Sequence, residues 1–166
     1  MRPPLKTKSA DDFQTPPSAL APLFPYLKPT WTIWEPATGK GNIAKALRSH
    51  GFAVIATDIL TGQDFRIVTK PCDCIITNPP YSLKQEFLER CYSLGRPFAL
   101  LMPLTALESA KRQRLYRQHG VEVIVMPKRV QFKFCNGDDL PTWFATARFT
   151  YGLSIGRQLR FVEEAA

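Results

Sequence analysis

Asn78-Pro79-Pro80-Tyr81 places two hydrogen-bond acceptors and a flat ring within four residues. Pro79 and Pro80 have no N–H, so the segment offers carbonyls and few donors. Asn78 adds a side-chain carbonyl and Tyr81 an aromatic face. Such a set suits an amino group on a planar carbon, a poor nucleophile because its lone pair is delocalised. The Asn78 carboxamide oxygen and the Pro79 carbonyl could grip both N–H bonds and draw the nitrogen toward a tetrahedral shape. The lone pair would then be free to attack, with Tyr81 holding the ring by stacking. Asn-Pro and Pro-Pro are also ordinary turn formers, so the reading depends on the surrounding chain.

A second set lies upstream. Gly39 and Gly41 let the backbone turn sharply and approach a ligand closely, and the helix expected after them presents free N–H groups. Asp58 follows about twenty residues on, where a carboxylate can take two ribose hydroxyls. A dinucleotide fingerprint would want a third glycine near position 44, where Ala44 stands. Glu35, just before the turn, would repel a pyrophosphate and suits a cation such as a sulfonium or an α-amine.

These residues need a scaffold, and the chain supplies an alternating one. Strands are expected at 32–37, 53–59, 65–68, 72–77, 97–102, 121–126 and 143–149, with helices at 42–50, 82–94 and 106–119. Thr15 can cap a short helix beginning at Pro16, with Pro22 and Pro25 limiting it. Alternation of this kind argues a parallel sheet covered on both faces. The lip at 78–81 then ends a strand, where open α/β sheets bind ligands. Cys72, Cys74, Trp31, Trp34 and Trp143 are expected in the core.

The chain has 166 residues, a net charge of +8 and 45% hydrophobic residues. That length favours one domain, 13–166, behind a basic arm at 1–12. The charge favours a polyanionic partner. Lys111, Arg112, Arg114, Arg117, Lys128, Arg129 and Lys133 face only Glu122 across their stretch. They read either as a solvated surface or as phosphate contacts. Aromatic residues interleave in the 128–133 loop, and Phe132 is placed near a target base. Four cysteines without paired metal-site spacing point to no metal and to a reduced compartment. No stretch reaches transmembrane length, and the start is not a signal peptide, so a cytoplasmic setting is expected.

The set resembles the S-adenosyl-L-methionine (AdoMet)-dependent adenine-specific DNA amino-methyltransferases, and does so over most of the chain. Asp12-Phe13-Gln14-Thr15-Pro16 resembles the family's Phe-x-Thr-Pro segment, so Phe13, Thr15 and Pro16 are expected at the cofactor. Glu35-Pro36-Ala37-Thr38-Gly39-Lys40-Gly41 resembles its cofactor loop. Thr57-Asp58-Ile59 resembles the ribose-binding strand end, and Asp64-Phe65 the segment touching the cofactor's adenine. Thr77-Asn78-Pro79-Pro80-Tyr81 resembles the catalytic motif. Lys128-Arg129-Val130-Gln131-Phe132 resembles a late segment of small phage-type members, near the target base. The resemblance implies a Rossmann-like class I methyltransferase fold with a seven-stranded sheet and an antiparallel C-terminal pair. It implies AdoMet as cofactor, adenine in DNA as substrate, and a bacterial or phage-infected host cell. RNA adenine, protein glutamine and a non-catalytic nucleic-acid binder remain as alternatives. No separate target-recognition domain fits, and homo-oligomer formation stays open.

Overall fold

The computed structural model describes residues 13–134, 138 and 142–161. The expected basic arm at 1–12 and Cys135 lie outside the described residues. The sheet strands are β1 (Thr32–Glu35), β2 (Ala53–Ala56), β3 (Cys74–Thr77), β4 (Phe98–Pro103), β5 (Glu122–Val125), β6 (Thr146–Tyr151) and β7 (Leu159–Phe161). The α-helices are α1 (Asn42–Ser49), α2 (Lys84–Leu94) and α3 (Ala110–His119). The strand order is β2-β1-β3-β4-β6-β5-β7. Strands β2, β1, β3 and β4 run parallel. Strand β6 is antiparallel to β4 and β5, and β7 runs parallel to β5. From β1 the chain steps outward to β2 and returns to β3 on the other side. That reversal opens a crevice at the carboxyl ends of β1 and β3.

Period-two alternation assigns each strand residue to a face. Ile33, Ile76, Ala99 and Ile124 pack with Leu20, Leu23 and α1 residues Ile43 and Leu47. Trp34, Ile75, Leu100 and Val123 pack with Phe87, Leu88 and Cys91 of α2 and Tyr116 of α3. Helices therefore cover both faces, as expected. All four residues of β3 are buried, which places the lip at the end of a central strand.

Several expectations are corrected. No strand forms at 65–68. The Asp64 carbonyl instead accepts from the Ile67 and Val68 N–H groups, and its carboxylate holds the Arg66 backbone and guanidinium. Arg90 donates to the Phe65 and Val68 carbonyls, so these groups are paired outside any ladder. The sheet's seventh strand is β7, on the opposite edge. Strand β6 starts at Thr146, and Trp143 is 44% exposed rather than core. Helix α3 starts at Ala110, because Leu104–Leu107 forms a 3-10 turn. The first helix is a 3-10 helix, Pro17–Tyr26. Pro16 occupies its cap position with no side-chain cap, and the Thr15 hydroxyl is buried without a partner. Cys74 is buried, whereas Cys72 precedes the strand half-buried. Among the described residues no helix is long and apolar enough to cross a membrane.

Candidate active site

The turn after β1 is shaped by its glycines. Gly39 and Gly41 have φ of +49° and +81°, a region that costs an L side chain strain. Gly41 N–H closes the turn on the Thr38 carbonyl at 2.7 Å. Asp58 fastens the turn to the end of β2. One oxygen accepts from Gly39 N–H and the other from Leu60 N–H, both at 2.9 Å. Helix α1 starts immediately after Gly41, with its N-terminus at the crevice.

A cavity of about 470 Å³ fills this crevice. Eleven of the residues expected at the cofactor line it: Phe13, Thr15, Glu35, Pro36, Ala37, Gly39, Asp58, Ile59, Asp64, Phe65 and Asn78. Pro16 and Gly41 do not line it; they shape the backbone next to residues that do. Sequence reasoning missed Asn42, Leu60, Leu83 and Phe87, which also line the cavity. Asn42 carries a detectable signal, as the first residue of a helix that follows a glycine turn. Leu83 and Phe87 read only as helix positions.

Glu35 is fully buried at the end of β1. One oxygen accepts from the Thr77 hydroxyl at 2.9 Å, and the other has no partner. Burial pushes its carboxyl up to about 8, against the opposing pull of Thr77 and Arg148; Asp58 adds to the rise. Arg148 lies behind it on β6, 0% exposed, donating from Nε and Nη2 to the Ala19 carbonyl. This ties the first 3-10 helix to the sheet. Arg148 Nη1 remains unpartnered, and burial lowers the guanidinium to about 10.

The lip is asymmetric. Asn78 Nδ2 donates to the Phe13 carbonyl at 3.2 Å, which decides the carboxamide's orientation because that partner can only accept. Asn78 Oδ1 is buried with no donor. Pro80 faces the cavity beside it, whereas Pro79 is buried outside the lining. Tyr81 is 9% exposed under Phe13 and Phe144, and burial raises its phenol strongly.

The basic candidates divide. Lys128, Arg129 and Lys133 are exposed, and the Lys133 backbone bridges Gln14 next to Phe13. Arg114 is exposed on α3. Arg112 turns inward, donating to the Ala106 carbonyl at 2.7 Å and to Gln85. Lys111 pairs with Glu89 at 3.1 Å. Phe132 is 1% exposed, packed on Phe13 at 5.3 Å between centroids and outside the cavity lining, so in this arrangement it offers no free face to a base.

The strand order and the helix layers give the chain a class I methyltransferase fold, which solved structures share. The chain is similar to a candidate RNA methyltransferase of Pyrococcus horikoshii, with a TM-score of 0.60 and 11% identity, covering 80% of this chain and 79% of that one. It is also similar to the modification subunit of a candidate type I restriction enzyme of Vibrio vulnificus, with a TM-score of 0.54 and 13% identity, covering 87% of this chain and 45% of that one. No protein-family model matches the sequence, and no curated protein sequence does.

Proposed function

We propose that this chain binds AdoMet in the crevice and methylates the 6-amino group of adenine in DNA. The observation that carries the reading is Asn78 Oδ1, a buried acceptor without a donor at the lip, its carboxamide oriented by the Phe13 carbonyl. A buried unsatisfied acceptor costs about 1–3 kcal/mol and calls for an explanation, and an incoming N–H supplies one.

The crevice fits the cofactor's chemistry. Glu35 presents a second unpartnered oxygen, suited to a cationic group. Asp58 lines the cavity with lone pairs to spare for ribose hydroxyls. Ile59, Leu60 and Phe65 give an apolar wall for an adenine. When bound, AdoMet supplies an electrophilic methyl group on a sulfonium. Asn78 Oδ1 would orient the acceptor amine by taking one N–H, and the Pro79 carbonyl would take the other. A neutral carboxamide is a poor base, so the product's proton would leave to water. The protein's part is then positioning and electrostatics. A base in duplex DNA must leave the stack, at a cost of a few kcal/mol.

RNA adenine is a second reading. It is favoured by the Pyrococcus neighbour, a candidate RNA methyltransferase. Labelled AdoMet offered in parallel with DNA, RNA and protein tests both: label in DNA adenine supports the proposal, label in RNA alone shifts the substrate, and label in neither nucleic acid ends it.

Two consequences can be measured. Asp58→Ala should weaken AdoMet binding by about 1–3 kcal/mol, through lost charge-assisted bonds and a loosened Gly39 turn. Calorimetry checks this, and unchanged affinity would remove Asp58 from the site. Replacing Lys128 and Arg129 with alanine should lower the slope of log affinity against log salt by about 1.8 if both meet phosphates, leaving AdoMet affinity unchanged. A parallel slope for the double variant would move the phosphate contacts elsewhere.

A further inference from the structure

Tyr81 does not wall the cavity, although Asn78 and Pro80 do. The cause is Phe13. Its ring lies 4.9 Å from the Tyr81 ring at an interplanar angle of 31°, within the range of favourable aromatic pairs. Phe144 meets both rings edge-on at 5.8 Å. Phe132 lies 5.3 Å from Phe13 and 6.4 Å from Phe144. Of these four rings, only Phe13 also lines the cavity.

The Phe13 backbone is held independently of its ring. Its carbonyl accepts from Asn78 Nδ2. The next residue, Gln14, exchanges hydrogen bonds with Lys133 in both directions, at 2.9 and 3.3 Å. A change of side-chain rotamer can therefore move the ring while Asn78 keeps its orientation.

We infer that the Phe13 ring occupies the acceptor's seat against Tyr81 and must swing out before an aromatic amine can stack there. The inference rests on the amino-methyl-transfer reading and concerns how that site opens. An incoming base restores the ring-on-ring packing that Phe13 surrenders, so the exchange takes from the ligand part of its stacking energy.

The test compares the full chain as wild type, Phe13→Ala, Phe13→Leu and the double variant Phe13→Ala with Tyr81→Ala. The probe is a single-stranded oligonucleotide carrying one 2-aminopurine, whose fluorescence falls on stacking; no turnover is required. Phe13→Ala should bind it about five- to tenfold tighter than wild type, with deeper quenching. Phe13→Leu should fall between, and the gain should vanish in the double variant. Circular dichroism verifies folding, and Phe13→Leu decides the matter if Phe13→Ala fails to fold. Equal or weaker binding by the vacated seat overturns the inference. So does a gain that survives loss of Tyr81. A wild type that methylates nothing would instead sink the proposed function, and the binding comparison would still stand.

Discussion

Asn78→Ala is expected to lose methyl transfer by roughly 10²- to 10³-fold in kcat, the scale seen when one oriented polar group is removed from a site where charge develops. The fold should tolerate the change. Alanine gives up the bond from Nδ2 to the Phe13 carbonyl, worth about 1 kcal/mol. It also removes a buried oxygen that has no donor, and that relief offsets the loss. A thermal melt near that of wild type, together with single-turnover methyl transfer to DNA, separates the two effects. Asn78→Asp sharpens the comparison. It keeps oxygens at the lip but sets a carboxylate oxygen against the Phe13 carbonyl, so it should loosen the 13–15 segment as well as slow transfer. Near wild-type turnover by Asn78→Ala would show that the carboxamide oxygen does not grip the amine.

Much of this site was legible because its signals are local. Gly39 and Gly41 between an apolar run and an amphipathic helix mark a turn wherever they occur, and the structure forms it there. Pro79 and Pro80 end a strand for covalent reasons, and β3 stops at Thr77. What escaped depends on partners distant in sequence. Residues 65–68 alternate like a strand, yet the Phe65 ring is drawn against Trp34 and Phe87, at 5.0 and 4.8 Å, and Arg90 takes the carbonyls. Leu159–Phe161 is too short to announce itself and exists as a strand only because β5 offers a parallel edge. The exposed Trp143 shows that an aromatic residue beside a strand need not be core. At the lip, the aromatic face of Tyr81 was legible from its type, but its cover by Phe13 and the burial of Phe132 follow from tertiary packing alone. Arg148, beside a buried carboxylate on another strand, left no local trace.

The buried Glu35 carboxyl leads to the second large effect. Between about pH 5 and 9 the protein should lose stability as pH rises, and Glu35→Gln should flatten the loss. Glu35 has its carboxyl raised from 4.5 to about 8, with burial as the first cause. A raised folded value means that the native state binds more protons than the unfolded chain between those limits. Its contribution is therefore fully present below about 4.5 and is lost as pH climbs through about 8. Asp64 and Glu89 have lowered values and act in the opposite sense on the acidic side, so the windows separate. A glutamine at this position would imitate the protonated acid and still accept from Thr77. Glu35→Gln should therefore nearly match wild type near pH 5 and exceed it by on the order of 5 kcal/mol near pH 9. The same carboxylate makes cation binding pH-dependent. A positive ligand beside Glu35 favours its ionised form, so AdoMet binding between pH 6 and 8 should release a proton and tighten as pH rises. Glu35→Gln should weaken that binding and remove its pH dependence. Thermal melts across pH, with calorimetry in two buffers of different ionisation enthalpy, read both effects. Equal melting curves for the two proteins at pH 9, or proton release that persists in Glu35→Gln, would mean that another group carries the linkage and that the buried carboxylate is not the cation's partner.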